Sequence, residues 1–130
     1  MLKLGISTVL LLIIDLIWIR FYMQKQYEIM IPRIQGTSLS VNLKYAILSY
    51  ICLAFSINYF VLPNIKRNSL KEIVSYGFVF GIILYGVYDF TAAAVLKEWD
   101  EITMFIDVFW GGILFALTAY LTNVIVKMIK

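Results

Sequence analysis

Four long apolar stretches, separated by three polar connections, make up the chain. The stretches cover about 4–23, 45–62, 73–96 and 102–126. Each approaches the ~20 residues a helix needs to cross ~30 Å of hydrocarbon. The pattern predicts an all-α membrane protein with four transmembrane helices in an up-down-up-down bundle. It also predicts one integral-membrane domain over 1–130. Pro63 closes the second stretch, where a helix must stop. Lys97, Glu98, Trp99, Asp100 and Glu101 form a tight polar turn between the third and fourth, and short links imply antiparallel neighbours. The first connection, about 24–44, is longer. Residues Tyr27 to Ile31 are apolar enough to continue the helix or lie in the interface, and Pro32 and Gly36 then break it. A helix extension followed by a loop is expected there. A lid over a site is the alternative.

Composition agrees with this class. The chain is 62% hydrophobic, against roughly 45–50% for soluble domains. Its net charge of +3 comes from basic residues at the ends of apolar runs, not from a stripe with interleaved aromatics, so no nucleic-acid partner is expected. Histidine is absent and Cys52 is the single cysteine, which excludes an intramolecular disulfide and zinc-finger or iron–sulfur ligation. No cofactor is expected. Lys3 before the first run suggests a signal peptide, but the run continues past Ile14 to Tyr22 and lacks a small-residue cleavage site. A spanning helix is the better reading. Lys3, Lys66, Arg67, Lys71, Lys127 and Lys130 fall on one side, and Arg20, Lys25, Arg33, Lys44 and Lys97 on the other. That slight excess predicts a multi-pass protein with both termini cytoplasmic.

Three aspartates interrupt the apolar runs: Asp15, Asp89 and Asp107. A charge at mid-membrane costs roughly 2.5–3.5 kcal/mol on insertion scales, so such residues mark a functional site by default. Counting ~1.5 Å per residue from the far ends of their helices puts them roughly 12, 10 and 7 Å deep. All three lie in the half of the bilayer away from the termini. Two open the same short pattern, Asp15-Leu16-Ile17-Trp18 and Asp107-Val108-Phe109-Trp110.

Helical spacings of three, four or seven give each aspartate polar company. Thr8, Trp18 and Tyr22 accompany Asp15, and Tyr85 accompanies Asp89, with Tyr88 and Thr91 nearby. Trp110, Gly111 and Thr118 accompany Asp107, while Tyr45, Ser49, Cys52, Ser56 and Tyr59 line the second helix. Turned inward, these stripes make a polar core walled by aromatics. Gly77 and Gly81 in the third helix, with Gly111 and Gly112 in the fourth, permit close helix packing. Trp99, in the turn, reads as an interfacial belt residue.

Taken together, Asp15-xx-Trp18, the run from Tyr85 to Thr91, Trp99 and Asp107-xx-Trp110-Gly111 resemble a family of small predicted membrane proteins, domain of unknown function 2177. The resemblance spans essentially the whole chain and keeps the order of motifs. It implies four transmembrane helices and no established activity. One departure stands out: the family commonly has Asn after its Tyr-Asp-x-Thr motif, where this chain has Ala92. If that Asn shares a hydrogen bond with the site, the site is altered here.

The candidate ligand- or ion-binding residues are Asp15, Asp89, Asp107, Trp18, Trp110, Tyr85, Tyr88 and Thr91. One reading is a cation or proton pathway, since protonatable carboxylates in a membrane core serve proton relays. A single protomer has only four helices, so a permeation path calls for a homo-oligomer. The alternative is a binding or assembly protein for a lipid, a small amphipathic ligand or a partner helix, with the aspartates hydrogen-bonded by the aromatics. An intramembrane enzyme is the third reading, using two aspartates as acid and base, or three holding Mg²⁺ or Ca²⁺ through oxygen. No catalytic or nucleotide-binding motif supports it. The bilayer is the one partner that every reading shares.

Overall fold

The computed structural model describes residues 2–130. Among the described residues there are helices and turns and no strand. Four helices are long and apolar enough to cross a membrane: α1 (Leu2–Gln35), α2 (Leu43–Asn64), α3 (Leu70–Val95) and α4 (Glu101–Ile129).

Local chemistry sets the helix ends. Asn42 caps α2 by accepting from the Lys44 amide at 3.2 Å. Ser69 and Glu72 form a reciprocal capping box at the start of α3, satisfying amides that have no partner inside the helix. Glu72 also accepts from the Lys66 and Arg67 amides, which closes the turn before α3. Asp100 caps α4, accepting from the Thr103 amide at 2.9 Å and the Thr103 hydroxyl at 2.6 Å. These bonds hold its carboxyl below the usual carboxylate range.

α1 runs well beyond the expected span. Pro32 lies inside its last turn, and the stop comes at Gly36, whose φ of 79° lets its amide reach the Pro32 carbonyl. Proline forfeits the bond to the carbonyl four residues earlier, which belongs to Glu28 on the exposed side. Water at the interface can satisfy that carbonyl, so the helix survives. The extension is also held from outside. The Asp100 amide meets the Met30 sulfur at 3.2 Å, and the Thr103 hydroxyl reaches Gln26 at 3.4 Å. The first connection is therefore a helix extension, docked at its end on the α3–α4 turn, followed by a loop.

Three π-helical turns interrupt the α-helices, at Ile19–Met23, Ile57–Val61 and Ile73–Phe78. A π turn inserts about one extra residue. Twelve residues of regular α-helix would carry Tyr27 about 120° away from Asp15 around α1, at ~100° per residue. The inserted residue removes most of that drift, so Asp15, Met23, Tyr27 and Met30 all face the bundle.

α4 is the central helix. Asp107, Gly111, Leu114, Phe115, Thr118, Ala119 and Thr122 are all buried along it. α1 and α3 flank it, and α2 covers α1. Ser7 meets Asn58 and Asp15 meets Tyr50, so residue numbers fall on α2 as they rise on α1. The pairs Asp15–Trp110 and Gln26–Thr103 show the same opposition between α1 and α4. Gly77–Ala116 and Phe90–Phe105 show it between α3 and α4. An apolar core of Leu11, Ile57, Val61, Leu114, Phe115 and Ala119 fills one half of the molecule. Beyond it, toward the α3–α4 turn, lie the aspartates. Phe21, Phe55, Val87 and Phe105 are more than half exposed on the outside, a surface that water penalises and lipid accepts.

Lipid offers no hydrophobic drive between helices, so close packing has to hold them together. α3 and α4 meet backbone to backbone. A Cβ on Gly81 would overlap the Gly111 carbonyl, and one on Gly112 would come within 2.7 Å of the Phe78 ring. Gly5 has nothing within 4 Å of such an atom. Gly81→Ala should therefore lower stability by roughly 1–3 kcal/mol, while Gly5→Ala should leave it nearly unchanged. Thermal unfolding of both variants in the same mild detergent checks this, and equal stabilities would refute the backbone contact.

Candidate functional site

Asp15 lies one turn before the π turn of α1 and is 6% exposed. Its two oxygens have separate donors from separate helices. The Tyr50 hydroxyl of α2 donates to Oδ2 at 2.6 Å. The Trp110 indole of α4 donates to Oδ1 at 3.0 Å. Interhelical hydrogen bonds in membranes contribute about 0.6–1.7 kcal/mol each, so the pair offsets much of the roughly 2.5–3.5 kcal/mol cost of placing an aspartate at mid-membrane. Asp15 is thus satisfied within the protein and clasps three helices together.

The repeated Asp-xx-Trp spacing has a structural meaning. The helices oppose, so the tryptophan of one pattern lies level with the aspartate of the other. Trp18 and Trp110 stack with centroids 4.6 Å apart and planes 9° from parallel. Trp110 reaches Asp15, but the reciprocal bond is not made: the Trp18 Nε1 is buried without a hydrogen-bond partner among the described residues.

Asp89 and Asp107 form a second group. Both are buried, and their carboxyls lie within hydrogen-bonding reach of each other across the α3–α4 contact. Carboxylates only accept, so this contact becomes a bond when one of the two carries a proton. Asp89 Oδ2 is buried with no partner among the described residues.

Beside these carboxyls lies a cleft of about 550 Å³. Asp15, Trp18 and Tyr27 of α1 form its back, with Asp107 of α4. Ser49, Cys52 and Leu53 of α2 form one wall, and Leu84, Tyr85 and Tyr88 of α3 the other. α2 packs on α3 mainly near the turn that joins them, where Phe60 stacks on Phe80 at 5.7 Å. Toward its other end, α2 leans on α1 through Tyr50, and the gap to α3 is the cleft. Its rim residues Ser49, Cys52 and Tyr88 are exposed.

The expected site residues divide. Asp15, Asp89, Asp107, Trp18, Trp110 and Tyr85 come together inside the bundle, and Tyr88 joins from the rim. Thr91 does not: it is exposed on the outer side of α3. The three aspartates also do not converge on one point, and no cluster of metal-ligating side chains occurs among the described residues. On α2 the expected stripe is displaced. Tyr45 and Tyr59 are exposed, Ser49, Cys52 and Ser56 touch only the cleft, and the inward face runs through Tyr50, Ala54, Ile57 and Val61. Two contributors were missed. Tyr50 was hidden by its apolar face-mates and Tyr27 by the π turn. Trp99, in the α3–α4 turn and outside the cleft lining, sits with its ring 6.1 Å from Tyr88 and 6.3 Å from Tyr27.

A family model described as "Predicted membrane protein (DUF2177)" matches residues 1–124. No match was found among curated proteins or solved structures.

The clasp predicts that Tyr50→Phe and Trp110→Phe each lower stability by roughly 0.6–1.7 kcal/mol, the span of interhelical hydrogen bonds in membranes. Tyr50→Phe should cost much less when Asp15 is already Ala, because its partner is gone. Thr91→Ala should be silent. Unfolding titrations of the single and double variants measure the coupling, and additive losses would remove Asp15 as the shared acceptor.

Proposed function

The chain belongs to the DUF2177 family of predicted membrane proteins, and we propose that it is a membrane-embedded binding protein whose cleft takes an amphiphile directly from the bilayer. The observation that carries this reading is the position of the mouth. Cys52, on the rim, lies nine residues into α2, about 14 Å along a helix at ~1.5 Å per residue. With α2 spanning the bilayer, that is hydrocarbon depth, so the cleft opens sideways into lipid. Its volume lies within the usual range for small-molecule sites, and so does its mainly apolar and aromatic lining with a few polar groups.

The geometry favours binding over passage of a metal cation. Asp15 has both oxygens engaged, and no set of carboxylates converges to hold a metal ion among the described residues. A proton pathway is the second reading, and one observation favours it: the direct approach of Asp89 and Asp107, which places a shared proton beside the cleft.

A neutral long-chain alcohol bearing a photoreactive alkyl diazirine tests the binding reading in lipid nanodiscs. Peptide mapping should find label on α2 between Ser49 and Ser56 and on α3 around Tyr88. The cleft-filling variant Leu84→Trp should reduce it severalfold. Labelling spread evenly over the lipid-facing helices would overturn the reading. Wild-type liposomes that dissipate a pH gradient, and stop doing so with Asp107→Asn, would replace it with the proton pathway.

The same reading takes the protein to be one domain with α1–α4 crossing up-down-up-down and both termini cytoplasmic. The opposed pairings of the helices support it, as does the slight excess of basic residues on the terminal side. In a Cys52→Ala background, Lys3→Cys and Lys127→Cys should react with an impermeant maleimide from the cytoplasmic face only. Reaction from opposite faces would refute this topology.

A further inference from the structure

Resting on the reading of the cleft as an amphiphile site, we infer that its occupant is a long-chain primary amine, bound with its ammonium against Asp107 and its alkyl chain running out between α2 and α3. Four features of the molecule converge on this chemistry.

Charge complementarity comes first. Asp15 and Asp107 line the cleft, Asp89 lies against Asp107, and no lysine or arginine lines the cleft. A cation is the missing partner for acidic groups held at hydrocarbon depth, where they are costly alone.

The walls suit a cation as well. Trp18, Tyr27, Tyr85 and Tyr88 surround the approach to Asp107. Aromatic faces attract ammonium groups, the more so when water is excluded. An anionic headgroup would meet both the carboxylates and the negative faces of these rings.

The unmet hydrogen bonds separate a primary from a quaternary ammonium. Asp107 lines the cleft, and behind it, outside the lining, Asp89 carries an acceptor, Oδ2, with no partner among the described residues. A primary ammonium brings three N–H donors, as the lysine head does, while a quaternary one brings none. Asp15 does not compete for the amine, because Tyr50 and Trp110 already hold its two oxygens.

The open side supplies the last argument. A soluble amine has no path to a mouth at mid-membrane depth, whereas an amine with a long alkyl chain is already in the bilayer with its head mobile near the interface. The α2–α3 gap admits the chain without closing over it.

The test is a headgroup series on one chain length: dodecylamine, dodecyltrimethylammonium, dodecanol and dodecyl sulfate. Each competes with the photoreactive alcohol in nanodiscs of neutral lipid, and Trp18 and Trp110 report occupancy through their fluorescence. Dodecylamine should compete about tenfold to a hundredfold better than dodecanol, the effect of one or two charge-assisted hydrogen bonds. The trimethylammonium compound should fall between them and the sulfate last. Asp107→Asn should erase the preference for the amine while keeping the binding of dodecanol. Equal competition by amine and alcohol, with cleft labelling intact, would overturn the amine and leave the amphiphile reading standing. Loss of cleft labelling in the wild-type protein would overturn both. The wild-type series needs no variant to fold.

Discussion

Inside hydrocarbon a polar group has only the protein to bond with, and the organisation of this molecule follows from that constraint. The carboxylates are answered in two ways. Asp15 recruits Tyr50 and Trp110 from two other helices, so its charge becomes a joint between α1, α2 and α4. Asp89 and Asp107 lie against each other, with one Asp89 oxygen left unmet among the described residues. The first arrangement is closed and structural. The second is incomplete, and it lies beside the cleft. Ser7 and Asn58 at 2.8 Å repeat the closed solution near the other end of the bundle.

The glycine contact and the cleft are two sides of one packing decision. α3 is drawn onto α4 by Gly77, Gly81, Gly111 and Gly112, and this close approach sets Tyr85 against Gly111 and brings Asp89 to Asp107. Having committed to α4, α3 stays away from the upper part of α2, which leans on α1 through Tyr50. The gap is therefore not a packing fault in an otherwise tight bundle. It is where two preferred helix pairs part company.

Much of this could be read from the residues. Hydropathy alone located the four spans, because a run of spanning length has few alternative uses. The aspartates were conspicuous because their cost in lipid is high, and the Asp-xx-Trp repeat carried real geometry. What escaped had physical causes. The period of a regular helix is the wrong ruler across a π turn, so Tyr27 looked remote from Asp15. On α2 the polar stripe from Tyr45 to Tyr59 was more visible than the apolar one that packs, but serines that bond their own backbone, as Ser49 and Ser56 do to Ala46 and Cys52, need no partner inside. Thr91 was credited for its chemistry, although two residues from Asp89 on a helix is nearly the opposite face. Of the two breakers, Gly36 ends the helix as expected, while Pro32 lies inside its last turn.

The Asp15 clasp joins residues separated by 35 and 95 positions, and a ribosome makes them in that order. Elongation proceeds at roughly 5–20 residues per second, so α1 sits in the membrane for roughly five to twenty seconds with its carboxylate lacking the Trp110 donor. α1 inserts on the strength of its leucines and isoleucines, in spite of Asp15, and its final seat waits for the last helix of the chain. Biogenesis thus has a distinct late step, the docking of α4 between helices already in place. An early-terminated chain would leave behind a membrane segment carrying a half-satisfied charge, a natural mark for quality control to recognise.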